Sequence, residues 1–246
     1  MNRFAVVADI HGNICALEAF LDDIKRRKIT EVVNLGDNVS GPLWPKETME
    51  VLKGNSWVNL NGDHDQRIVS QTPEQLGLSD RFARERLSFD DLKWLEQQQS
   101  FTRIGDGISA FHGSPGDEKQ YLLETIGNNR IHLSSREEIV ARVGDQRTPL
   151  MLCGHSHTPR CVRLDDETTI INPGSLGLQA YVEEGADGHM VETGSPHARY
   201  AVIDLEEGKW ALEFIALKYD WDKAARQAGK QNRPDWEKAL SSGYLS

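Results

Sequence analysis

The sequence predicts an α/β protein, and three observations carry that prediction. Short apolar runs bounded by turn signals alternate with stretches of helical spacing, as buried strands and amphipathic helices do. The first three runs each end on a carboxylate or an imidazole. Functional groups of an open α/β sheet sit there, just outside the carboxyl ends of its strands. Length and composition allow the fold, since 246 residues, 38% hydrophobic and 27% charged, suffice for a substantial core.

The first run starts at Phe4 and stops abruptly at Asp9-Ile10-His11-Gly12-Asn13. Asp9 and His11 are two residues apart, so in extended backbone they point the same way. A carboxylate and an imidazole facing one point make half a metal site. By itself the stretch fits a helix cap and a loop histidine equally well. Asn13 then caps a helix over 14–28, with Ile14, Leu17, Phe20, Leu21 and Ile24 at helical spacing. Residues 31–37 form a second strand ending on Gly36-Asp37, and Pro45 opens a short helix through Leu52. A third strand, Trp57 to Asn61, runs into Gly62-Asp63-His64-Asp65.

Residues 72–99 read as helical. Ser88 and Asp91 form a capping box for 89–97, whose buried face is Leu92, Trp94 and Leu95. The next strand, 108–114, delivers His112. A short helix is expected at 119–126, and Ser135 with Glu138 caps another through Val143. Pro149 to Gly154 is a further strand, followed by His155-Ser156-His157. The alternation then changes. Residues 161–164, 168–172, 200–205 and 210–217 read as a second, largely antiparallel sheet, with turns at Asp165-Asp166 and Glu206-Glu207-Gly208. Glu183 to His197 reads as a surface loop whose acidic start, 183–187, is solvated. The tail from about 222 reads as polar helix broken at Pro234. All of 1–246 is taken as one domain.

Charge and cysteine content exclude several classes. The formal charge of −10 argues against nucleic acid, whose backbone needs a basic footprint. It does not exclude a small anionic substrate, because bound divalent cations invert the local field. Three cysteines give no disulfide framework. No N-terminal stretch reads as a signal peptide, and no run approaches the ~18 apolar residues of a membrane helix. The expectation is a cytoplasmic protein without membrane partners.

The strand-end groups are Asp9, His11, Asp37, Asp63, His64, Asp65, His112, His155 and His157, and they include five of the eight histidines. Gathered at one sheet edge, such groups need cations. Mixed carboxylate and imidazole ligation suits Zn, Fe, Mn or Ni. One metal is satisfied by about four ligands, so two metals about 3.5–4 Å apart, sharing a carboxylate, is the economical arrangement. His132, His189 and His197 read as surface residues and Cys153 as core. Arg67 and Arg160 follow motifs within reach of a phosphate but read as solvated charges.

Asp9-Ile-His11, Gly36-Asp37, Gly62-Asp63-His64-Asp65, His112-Gly113 and Gly154-His155-Ser-His157 resemble, in order, the motifs of the calcineurin-like metallophosphoesterases. Asn172-Pro173-Gly174-Ser175-Leu176-Gly177 resembles the turn of their small bacterial phosphodiesterase branch. The resemblance spans roughly residues 4–217. It implies a four-layer αββα sandwich of two mixed sheets flanked by helices. It also implies two divalent transition-metal ions (Mn, Fe, Zn or Ni). Asp9, His11 and His157 would hold the first, Asp63, His112 and His155 the second, and Asp37 would bridge them. His64 would touch the substrate phosphate or protonate the leaving oxygen, and Asp65 would orient that imidazole. The implied activity is hydrolysis of a small phosphodiester or phosphomonoester by a metal-bridging hydroxide, diesters favoured. The alternative is a catalytically weakened metal-binding scaffold or regulatory protein of the same fold. One departure bears on this choice. The family usually has Asn at the position of Asp63, and Asp adds anionic oxygens and removes a donor beside an incoming phosphate.

Overall fold

Along the first strand Phe4, Val6 and Ala8 face one way while Ala5 and Val7 face the other, and this alternation sets the layers. The computed structural model describes residues 2–164, 167–185, 188–206 and 209–246. In chain order the elements are β1 (Arg3–Val7), α1 (Ile14–Arg26), β2 (Glu31–Asn34), α2 (Pro45–Lys53), β3 (Val58–Asn59), α3 (Asp63–Ser70), α4 (Leu78–Arg84), α5 (Phe89–Glu96), β4 (Phe101–Ile104), β5 (Ile108–Phe111) and β6 (Glu124–Gly127). There follow β7 (Arg130–Leu133), α6 (Arg136–Val143), β8 (Leu150–Leu152), β9 (Arg160–Arg163), β10 (Thr169–Asn172), β11 (Ala180–Glu183), β12 (His189–Glu192), β13 (Ala198–Glu206), β14 (Lys209–Leu217), α7 (Trp221–Lys230) and α8 (Pro234–Ser242).

Two five-stranded sheets share one plan. The first has the order β14-β13-β1-β2-β3 and the second β4-β5-β8-β10-β9. Each has three parallel strands, β1-β2-β3 or β5-β8-β10, and completes its sheet with antiparallel strands. The inner faces meet in one core, where Phe4, Val6, Val33 and Ile203 pack against Ile108, Ala110, Leu150 and Ile171. The outer face of the first sheet is covered by α1, α7 and α8 through Leu17, Phe20, Ala224, Ala228 and Leu240. The outer face of the second, Phe111, Met151 and Ile170, is covered by Ile139 and Val143 of α6. The expected αββα sandwich is therefore present. Among the described residues, no helix is long and apolar enough to cross a membrane.

Several local expectations are corrected. The strands at 200–205 and 210–217 do not join a separate antiparallel sheet. β13 pairs antiparallel with β1, from Arg3↔Asp204 to Val6↔Ala201, and so fills the open edge of the first sheet. Residues 119–126 are not helical, because turns lead into β6. β6 and β7 are joined by the two residues Asn128 and Asn129, both at positive φ (54° and 58°), the backbone of a tight hairpin turn. Residues 183–197 contain β12, which pairs with β11 and β7, so they are not simply a loop. The order β11-β12-β7-β6 makes a third, four-stranded mixed sheet beyond the two expected. The turns at Asp165-Asp166 and Glu207-Gly208, and Ala186-Asp187 of the acidic stretch, lie outside the described residues. The tail is two packed helices that bury Ala225, Trp236 and Ala239. The helical tail breaks as expected just before Pro234, which opens the second helix. The Ser88–Asp91 and Ser135–Glu138 capping boxes form as expected.

Candidate metal centre

β1 and β2 end side by side, and their loops stay hydrogen-bonded beyond the strands. Asp9 N donates to Gly36 O at 2.9 Å and His11 N to Asp37 O at 2.9 Å. This zipper brings Asp9, His11 and Asp37 to one edge. Gly62 closes in behind them, where a Cβ would lie 2.1 Å from Asp37 Oδ1, so only glycine lets the third loop approach. Asp37 Oδ1 accepts from His64 N at 3.0 Å, which leaves Oδ2 turned inward. The second sheet contributes His112 after β5 and His155 and His157 after β8.

These side chains form two adjoining groups. One is Asp9, His11 and His157, the other Asp37, Asp63, His112 and His155, and within each the ligand atoms lie within 4.8 Å of one another. Asp37 Oδ2 joins them, 3.3 Å from His112 Nε2 and 3.9 Å from His11 Nε2. All seven candidate ligands read from the sequence are thus brought together.

The imidazoles are aimed by backbone carbonyls. His11 Nδ1 donates to Ser40 O (2.9 Å), His112 Nδ1 to Leu35 O (2.9 Å) and His157 Nδ1 to Leu178 O (2.7 Å). A carbonyl only accepts, so the proton sits on Nδ1 and Nε2 faces the centre. His155 is turned the other way, with Nε2 donating to Lys119 O (3.0 Å) and Nδ1 at 3.3 Å from Asp63 Oδ1. Burial lowers the His11 pKa to about 4, although Asp37 opposes it, so that ring is neutral and ready to ligate. Burial would raise the Asp9 carboxyl, but the charge and hydrogen bond of His157 hold it below its usual value.

Five of the seven, Asp9, His11, Asp37, His155 and His157, have left-handed backbone, with φ between 52° and 68°. Asp and His visit this region more readily than most side chains, but it stays uncommon. Its concentration here marks a site held in place by its surroundings.

The donor set fits a cation. Both carboxylate oxygens of Asp9, Asp63 Oδ1 and His112 Nε2 are buried with no hydrogen-bond partner among the described residues. Buried polar atoms of native proteins are seldom left unpaired, and these point toward one another as metal ligands do. A model of the calcineurin-like phosphoesterase superfamily domain matches residues 2–208. The chain belongs to that superfamily. It is 26% identical over 261 residues to the uncharacterized protein MJ0912 of Methanocaldococcus jannaschii, covering 96% of this chain and 95% of that one. The fold is similar to a metallophosphoesterase from Sphaerobacter thermophilus, at TM-score 0.75 and 23% identity over 98% of this chain and 99% of that one. It is also similar to the hypothetical protein PH1004 of Pyrococcus horikoshii, at TM-score 0.79 and 21% identity over the whole of both chains.

In this phosphoesterase fold His64 lies at the edge of the centre, but its carboxylate partner is not Asp65. Asp65 accepts from Asn38 N (3.0 Å), Asn38 Nδ2 (2.7 Å) and Gly62 N (3.2 Å), bracing the loops behind the candidate ligands. The reason is helical geometry. Asp63 and His64 open α3, and Asp65 at its third position folds back on the helix start as a capping residue. The His64 ring is held instead by Asp80 of α4, Nδ1 to Oδ1 at 2.7 Å, and Ser40 Oγ donates to the same carboxylate oxygen at 2.6 Å. Burial would lower the His64 pKa, yet Asp37, Asp63 and Asp80 raise it to about 10, so the ring carries a proton at neutral pH.

Sequence reasoning missed other parts of the site. Tyr121 packs on His155 and Tyr181 on His157, with ring centroids 4.7 and 4.6 Å apart. Their hydroxyls meet at 2.6 Å, and Tyr121 also reaches His189 Nε2 at 2.8 Å. His189 is buried, not a surface residue. Arg67 and Arg160 are not freely solvated: Arg67 pairs with Asp63, and Arg160 Nε lies 2.7 Å from the buried Glu124. Cys153 is core, as expected. Asn61 Nδ2 is spent on Leu95 O and Gln98 O, so it supplies no amide to the centre. The 172–177 turn braces the ligand loops. Ser175 Oγ and Gly177 N both donate to Asp9 O, and Asn172 Nδ2 donates to Gly154 O.

Proposed function

We propose that this superfamily member is a hydrolase of small phosphate esters, phosphodiesters favoured, working with two divalent transition-metal ions. The observation that carries the proposal is the junction of the two ligand groups at Asp37 Oδ2. Asp9, His11 and His157 would hold one ion, Asp63, His112 and His155 the other, and Asp37 both. When bound, the ions supply Lewis acidity toward the phosphoryl oxygens and an activated water.

The chain's own residues do the rest. The carbonyl-aimed imidazoles keep the ligand atoms fixed, so little reorganisation accompanies reaction. A cavity of about 610 Å³ beside the centre, lined by His64, Arg67, Tyr181, Arg233 and Trp236 among others, admits the organic part of an ester. His64 lines that cavity with Nδ1 committed to Asp80, so Nε2 is the nitrogen that can give a proton to a leaving oxygen. The formal charge of −10 disfavours nucleic-acid substrates, and the 172–177 turn supports the diesterase branch.

Metal content and an ester panel test this. Protein purified without chelator is expected to carry two transition metals per chain and to hydrolyse a generic aryl phosphodiester, with little action on duplex DNA. Fewer than one metal per chain, not repaired by Mn, Fe or Zn, would overturn the metal assignment. Loaded protein that turns over no ester would favour a binding scaffold.

A further inference from the structure

Asp63 is held differently from the other carboxylates of the centre. Its Oδ1 faces His112 Nε2 at 3.4 Å and His155 Nδ1 at 3.3 Å and has no hydrogen-bond partner among the described residues. Its Oδ2 accepts from Arg67 Nη2. The two residues are four apart on α3, so the helix itself sets them side by side. Arg67 Nε donates to the Asp63 carbonyl at 3.3 Å and lies 3.8 Å from Asp80 Oδ2. The guanidinium is thereby fixed between the centre and the carboxylate that holds His64. Only 28% of its side chain is exposed.

We propose that Arg67 is the counter-charge of Asp63, a positioning residue that keeps one carboxylate oxygen out of the metal centre and offsets its charge. The inference rests on the two-metal reading above. Asp9, Asp37 and Asp63 bring three negative charges to two divalent ions, leaving one positive charge to attract a phosphate ester. Arg67 raises that to two, and it lies on the wall of the cavity through which the ester enters. Geometry adds a second effect. An unrestrained carboxylate can give both oxygens to one cation, closing the position that a catalytic metal keeps open. With Oδ2 bound to the guanidinium, Asp63 offers Oδ1 alone.

The test is a double-substitution cycle on the whole chain, read in two ways. Metal-free protein is titrated with Mn²⁺ or Zn²⁺ against a chelating dye, and turnover of an aryl phosphodiester is measured at saturating metal. Arg67→Gln is expected to tighten the second metal about tenfold, because it removes a positive charge beside the cation and frees Oδ2 to bind it, and to lower kcat by about 10–100-fold, the usual loss of activity for a partner of a metal ligand. In an Asp63→Asn background the same substitution is expected to change both by less than about threefold. Unchanged metal affinity in Arg67→Gln would overturn the proposal. So would an equal loss of turnover in both backgrounds, which would make Arg67 a direct phosphate contact. Should Arg67→Gln fail to fold, Arg67→Lys decides. It keeps the charge but loses the fixed guanidinium fork on Oδ2, so the second metal should tighten and kcat fall, and an affinity and turnover both within about twofold of wild type refute the positioning role. If the wild-type protein hydrolyses no ester, the enzymatic reading fails while the titration still judges Arg67.

Discussion

Asp80→Asn removes the negative charge behind His64 and leaves its shape. Asp80 is buried, and its Oδ1 takes both the His64 ring at 2.7 Å and the Ser40 hydroxyl at 2.6 Å. An amide oxygen can still accept both bonds, so what is lost is the ionic part. A hydrogen bond to a charged partner contributes about 1.5–3 kcal/mol and a neutral one about 0.5–1.5 kcal/mol. The difference is about 1–1.5 kcal/mol, which is about one unit in the His64 pKa. Without the carboxylate the imidazolium is less favoured, so the His64 pKa falls from its raised position. If His64 protonates the leaving oxygen, the effect depends on the substrate. The ring stays protonated at neutral pH but gives its proton more readily, so an alkyl phosphodiester, whose alkoxide needs the proton, should turn over up to about threefold faster, while a nitrophenyl diester, whose phenolate leaves unaided, should change little. Metal content should not change, because Asp80 is not among the grouped ligands. Steady-state kinetics on the two substrates, with elemental analysis of the same preparations, make the measurement. Equal losses on both substrates would show that Asp80 supports architecture, not proton transfer. An alkyl diester that slows while the nitrophenyl diester does not would refute the expected gain, because the carboxylate would then speed the proton transfer.

Three further outcomes are expected. His64→Ala should lose about 10²–10⁴-fold in turnover while keeping both metals; loss of a metal would make His64 a ligand. Stripping the metals should lower the melting temperature by roughly 5–10 °C relative to protein with metal at a hundred times its Kd, since such binding adds about 2.7 kcal/mol and each kcal/mol shifts a domain of this size by about 2–4 °C; calorimetry with and without chelator measures it. Ser88→Ala should cost about 1 kcal/mol at neutral pH through its helix cap. Burial would raise the Asp91 carboxyl, but hydrogen bonds from Lys53 and Ser88 hold it below its usual value, so its contribution is present above about pH 4 and is lost as pH falls through the depressed folded pKa. The Ser88→Ala deficit should therefore shrink in acid, as urea melts across pH would show.

The candidate ligands were legible in the sequence because each sits where an apolar run breaks, a local pattern. The contacts that tune them were not. Asp80 lies 16 residues from His64 and looks like an ordinary acidic residue in a first helical turn. Asp65 misled because adjacency in sequence suggested contact, whereas α3 turns it away from the His64 ring. That helix has a single buried apolar residue, Ile68, so apolar spacing gave it no signature. The early runs pointed to an α/β sheet and the resemblance implied the two-sheet sandwich, but β13 shows the same strand signal whichever edge it joins. The third sheet turns on Asn128-Asn129, whose paired positive φ values make the hairpin. Reading that dipeptide as a turn would have replaced the helix expected before it and brought His189 and Tyr121 into view.

The left-handed backbone at Asp9, His11, Asp37, His155 and His157 bears on how this protein would evolve under different pressures. Each such residue holds a conformation that glycine would adopt more easily. Where metal is plentiful and turnover is selected, the cations offset that cost. Where heat resistance alone is selected and metal is scarce, nothing does, and the site becomes the cheapest place in the chain to gain stability. A library passed through repeated heating in chelator should then accumulate substitutions at these five positions while the apolar core stays intact. Durability and catalysis would be lost or kept as opposing traits, decided at the same few peptide units.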